Sequence, residues 1–63
     1  MELNLEPNIA DPDGFYDELL GVHQDLSKTQ SDALNARLIL LLANHIGDRS
    51  ILSDALKAAQ RDT

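Results

Sequence analysis

The chain contains no cysteine, which removes disulfides, thiolate zinc sites and thiol nucleophiles at once. Basic side chains are scarce: five Lys and Arg stand against eleven Asp and Glu, a formal net charge of −6. That balance disfavours nucleic acid, where basic groups must replace condensed counterions, and anionic membrane surfaces. There is no long hydrophobic run. Leu38 to Ala43 is the longest, far short of the ~20 residues that span a bilayer. Met1-Glu2-Leu3-Asn4 places no basic segment before an apolar stretch, so no signal peptide is expected and a cytoplasmic location is. Gly-rich phosphate loops and GxSxG elbows are missing. A chain this small also lacks walls for the ~300 Å³ pocket typical of ligand sites. Neither a stand-alone enzyme nor a cofactor is expected.

What remains is 63 residues, 43% of them hydrophobic, enough for one small folded domain. Such a domain hides only about 60% of the surface its unfolded chain exposes, and its core rarely supplies more than roughly 3–5 kcal/mol. A second chain, identical or not, is therefore an expected way to complete the core. Charge is unevenly spread. Residues 1–25 hold seven acids (Glu2, Glu6, Asp11, Asp13, Asp17, Glu18, Asp25) and no Lys or Arg. Such asymmetry fits either an acidic segment that docks on a basic partner or solvated helix surface and helix N-termini.

The pattern predicts an all-α fold: a three-helix bundle, at about 12–26, 28–46 and 49–60, behind an extended N-terminal arm over residues 1–10, with 11–63 as one helical domain. In the arm, Leu3 and Leu5 alternate with polar neighbours, but a lone strand has no partner, so an extended arm is expected rather than a sheet. Asp11 suits an N-cap and Pro12 the first helical position. Phe15, Tyr16, Leu19, Leu20, Val22, His23 and Leu26 then fall within an arc of roughly 160°. Gly14 and Gly21 each weaken that helix by up to ~1 kcal/mol relative to alanine. Ser27 to Gln30 has capping-box spacing, and Gly47 suits a left-handed C-terminal cap. Between them Leu34, Leu38, Ile39, Leu41, Leu42, His45 and Ile46 share one broad face. Leu40 points nearly opposite, among Ala33, Ala36 and Ala43. A helix apolar on two sides is usually buried on both. Asp48 suits the cap of the last helix, whose Ile51, Leu52, Ala55, Leu56, Ala58 and Ala59 form one face opposite Arg49, Ser53, Asp54, Lys57 and Gln60. Arg61-Asp62-Thr63 should fray.

Three features invite a functional reading. His23 and His45 lie near the middle of their apolar arcs, with Tyr16 beside His23, so an antiparallel pair of helices could bring the imidazoles together with a carboxylate around a metal. No His-x-x-x-His or Glu-x-x-His supports this, and a neutral histidine hydrogen-bonded in place is the commoner outcome; no metal site is expected. Asn35 falls inside the large arc, where a buried asparagine can set register, although a surface position is the simpler expectation; Asn44 lies on the same helix. Arg37 could pair with an acid of the first helix, such as Glu18 or Asp25, or with a partner chain; an ordinary salt bridge is the simpler expectation, its stem covering apolar surface. The helix–Gly47–helix junction invites comparison with a helix-turn-helix, but the charge is wrong for DNA. The candidate interaction surface is accordingly Ala33, Ala36, Arg37, Leu40 and Ala43. It would serve a homodimer or a larger protein partner, with no nucleic acid and no membrane. A small metal- or ligand-binding protein built on His23 and His45 is one alternative, and an acidic regulator of a basic, DNA-binding protein is another.

Two blocks, Glu6-Pro7-Asn8-Ile9-Ala10-Asp11-Pro12-Asp13-Gly14-Phe15-Tyr16 and Leu34-Asn35-Ala36-Arg37-Leu38-Ile39-Leu40-Leu41-Leu42-Ala43-Asn44-His45-Ile46-Gly47-Asp48, resemble a family of short acidic bacterial proteins known as a domain of unknown function. The resemblance covers about residues 5–60. It implies a bacterial, cytoplasmic protein and, because genes of this kind sit beside flavin-dependent aromatic hydroxylases or oxidoreductases, an accessory subunit or small regulator in an aromatic-degradation system. It carries no catalytic residues over to this chain.

Overall fold

Each helix begins at a side-chain cap that the sequence supplies. The computed structural model describes residues 2–61, and in it α1 spans Pro12–His23, α2 Lys28–Ile46 and α3 Arg49–Ala59. Asp11 accepts from the Gly14 backbone N–H at 3.1 Å, with Pro12 at the first helical position where its missing donor is not needed. Ser27 and Gln30 form a reciprocal box. The Ser27 hydroxyl accepts from the Gln30 N–H at 3.1 Å, and the Gln30 side chain accepts from the Ser27 N–H at 2.9 Å. Asp48 accepts from the Ile51 N–H at 3.0 Å. Gly47 closes α2 at φ 70°, and its N–H donates to the Ala43 carbonyl at 2.9 Å. A two-residue junction, Gly47-Asp48, therefore ends one helix and starts the next.

The first helix stops three residues earlier than its apolar pattern predicts. Gln24 leaves the helical region at ψ 134° and Asp25 turns left-handed at φ 65°. Aspartate tolerates that conformation better than most residues, so neither glycine nor proline is needed to mark the turn. Leu26 donates to the His23 carbonyl at 3.1 Å and is half-buried although it lies outside the helix.

Among the described residues the arm forms no strand. Its Glu6 N–H donates to the Asn4 side chain at 2.9 Å. Leu3 is half-buried while Leu5 and Ile9 are exposed. At the other end, α3 stops at Ala59, one residue before the expected Gln60. Arg61 N–H donates to the Ala58 carbonyl at 3.3 Å in a closing turn, and Asp62 and Thr63 lie outside the described residues.

The three elements share very little core. α2 packs against α3, and of the described hydrophobic residues only Ile51 is buried, at 8% exposure. Leu19, Leu26, Leu34, Leu38, Leu52, Ala55 and Ala58 are half-buried. The accessible surface is 5823 Å², whereas a compact chain of this mass exposes about 4,000 Å². The radius of gyration is 13.4 Å against about 11 Å for a compact chain of this length. The excess is of order 1,800 Å², to which the arm contributes.

Two opposite-signed substitutions check the turns. Gly47→Ala places a Cβ in a left-handed position and should lower stability by about 1 kcal/mol. Asp25→Gly relieves one and should raise it by about 0.5 kcal/mol. Thermal unfolding followed by circular dichroism at fixed protein concentration measures both; equal midpoints for both variants and the parent would contradict this account of the turns.

Candidate functional site

Helical periodicity decides which apolar side chains point at a neighbour and which are left over. In α1, Leu19 and His23 are half-buried, while Phe15, Tyr16, Leu20 and Val22 of the same arc are exposed. In α2, Leu34 and Leu38 are half-buried. The rest of the broad face is open: Ile39 is 63% exposed, Leu41 69%, and Leu42 and Ile46 about half. In α3, Leu56 and Ala59 are exposed rather than covered, whereas Ser53, assigned to the water-facing side, is half-buried. The expected burial of α2 on two sides is thus not met within a single chain.

The second α2 stripe is where the periodicity put it. Ala33, Ala36, Arg37 and Leu40 are exposed, Leu40 at 69%, and Ala43 is half-buried. Arg37, Leu40, Leu41 and Asn44 line a shallow, mostly apolar depression. A second open depression, more polar, is lined by Asp17, Leu20, Gly21, His23 and Gln24 at the end of α1.

His23 joins two helices. Its Nδ1 lies 3.0 Å from the Ser31 hydroxyl, a part-buried hydrogen bond between the last turn of α1 and the first turns of α2. The hydroxyl donates or accepts according to the ring tautomer. His45 is exposed on α2, and Tyr16 is exposed on α1. Among the described residues no group of three or more His, Asp or Glu side chains stands close enough to hold a metal ion.

Arg37 departs from expectation. Among the described residues the one ion pair joins Lys28 to Asp32 at 2.8 Å along the exposed side of α2, and Arg37 pairs with neither Glu18 nor Asp25. The early end of α1 removes Asp25 from the helix surface on which that pairing was drawn. Asn35 is exposed, so no buried amide sets the register of α2. The seven acids of the first segment are all exposed. No helix of the described residues is long and apolar enough to cross a membrane.

Signals for most of this surface were present in the sequence, but the exposure of Phe15, Leu20, Ile39, Leu41 and Leu56 was not, because a helical wheel marks an apolar face without showing that anything covers it.

The chain belongs to the family described as a protein of unknown function, DUF2783, which matches residues 3–61. No curated protein and no solved structure matches it.

Ser31→Ala removes the partner of His23. Stability should fall by about 1 kcal/mol, and backbone amides at the end of α1 should exchange faster while those at the end of α3 do not. Uniform acceleration along the chain, or none, would show that the His23–Ser31 bond does not tie α1 to α2.

Proposed function

We propose that this protein is a non-catalytic helical interaction module whose apolar helix faces are covered by another polypeptide chain. One observation carries the reading: among the described residues twelve large hydrophobics are exposed while Ile51 alone of the hydrophobics is buried. Scattered surface leucines are normal, but contiguous apolar patches of this kind mark interaction sites. On α2 two apolar faces stay open: Ile39, Leu42 and Ile46 on one, and Leu40 with Leu41, lining the depression beside Arg37 and Asn44, on the other. At about 25 cal/mol per Å² of apolar surface removed from water, covering even part of it outweighs what the single-chain core supplies.

The chemistry present fits this role better than catalysis. Neither depression brings together a nucleophile, a base and an orienting group. We extend the reading to an accessory subunit acting in the cytoplasm, and the resemblance noted above makes a flavin-dependent aromatic-degradation system the place to look for the larger protein. The exposed acids of residues 2–25 favour a second version, an acidic regulator that meets a basic protein surface and is steered to it electrostatically.

Native mass spectrometry on protein purified gently from its own host tests the proposal. The expected result is a complex, either of several copies or with a second protein in fixed stoichiometry. Dissociation of a heteromeric complex by moderate salt would favour the acidic-regulator version. A lone 6.9 kDa species that binds no hydrophobic dye would contradict the proposal.

A further inference from the structure

Resting on that reading, we infer that the occupant of the Leu40 face is a second copy of this chain, with α2 packed antiparallel against its twin. The area supports it. A standard interface takes about 800 Å² from each partner. The chain as a whole, its arm included, exposes 5823 Å², about 1,800 Å² more than a compact chain of its mass, which leaves room for one partner's share of such an interface. Charge supports it as well. Seven of the eleven acids lie in residues 1–25, outside α2; the one acid on α2, Asp32, flanks the stripe, pairs with Lys28 of its own helix and in an antiparallel pair centred on position 38 lies level with Asn44 of the second copy, so no two carboxylates oppose.

The order of side chains then fixes the register. Ala33, Ala36, Leu40 and Ala43 are placed symmetrically about position 38. A two-fold axis there sets each Leu40 against Ala36 of the other copy and each Ala33 against Ala43. That is the large-against-small alternation by which helix faces interdigitate. The contact is isologous and closes on itself. Packed helices have axes about 8–10 Å apart, and each Cα lies about 2.3 Å from its axis, so directly facing Cα atoms are about 3.4–5.4 Å apart and those a little off the line between the axes somewhat more, which reaches the ~4.4–6.8 Å that a disulfide bridges.

The absence of native cysteine makes the register directly testable. Positions 33 and 43 of one chain are about 15 Å apart along the helix and cannot bridge within a chain. In this register neither position faces itself. Ala33→Cys/Ala43→Cys should therefore oxidise to a covalent dimer of twice 6.9 kDa, while Ala33→Cys alone and Ala43→Cys alone should remain monomeric in denaturant. Sedimentation equilibrium on the parent chain should give the dimer mass, and Leu40→Glu, with helix content checked by circular dichroism, should give the monomer mass. If the parent is a dimer but the double variant does not crosslink, or either single variant crosslinks alone, the register is wrong. A monomeric parent that forms a stoichiometric complex with a different protein in its host would overturn the second copy and leave the interaction module standing. A monomeric parent without such a complex would overturn both.

Discussion

The structure is governed by how little apolar surface three short helices can hide from water when, among the described residues, only one side chain, Ile51, is buried. Conformational entropy opposes ordering at every residue, and a core of this size offsets little of it. Local devices therefore carry an unusual share of the organisation. Every helix has a side-chain N-cap, each typically worth about 1 kcal/mol, and α2 and α3 meet at a left-handed glycine followed at once by the next cap. These devices define where helices begin and end. They do not supply a core, and the surplus of exposed leucine and isoleucine follows from that.

Position along the chain accounts for the division between covered and uncovered faces. α3 follows α2 after two residues, so it is obliged to fold back on it, and Ile51 in its first turn is the residue that becomes buried. α1 is tied to α2 by the left-handed turn at Asp25 and by the His23–Ser31 hydrogen bond. A histidine that looked like a candidate metal ligand is here a polar tie between two helices. Most of the Leu40 stripe stays exposed among the described residues, because three helices of 11 to 19 residues do not surround the longest of them.

Most of the fold was legible in the sequence because caps are local. Asp11-Pro12, Ser27 with Gln30, and Gly47-Asp48 place helix boundaries through hydrogen bonds made within three or four residues. The end of α1 was not legible in the same way, since Asp25 takes a left-handed conformation with no glycine to announce it. The candidate surface was legible only in part. Periodicity showed that Leu40, Ala33 and Ala36 stand opposite Leu34 and Leu38. It could not show that Leu41, Ile46 and Leu56, on faces assigned inward, are uncovered, because coverage depends on tertiary packing. The Arg37 pairing likewise depended on how one helix sits against another: Asp25 lies beyond the end of α1, and Glu18, still on α1, does not reach Arg37.

If stability here is inseparable from assembly, the most direct measurement is thermal unfolding of the purified chain over about 1 to 500 µM, since a species stabilised by association has a midpoint that rises with concentration. A rising midpoint, or broad uncooperative unfolding of an isolated chain that sharpens only in complex, is what the account predicts. A sharp, fully reversible transition that stays at one temperature across that range, for a species of 6.9 kDa, would contradict it.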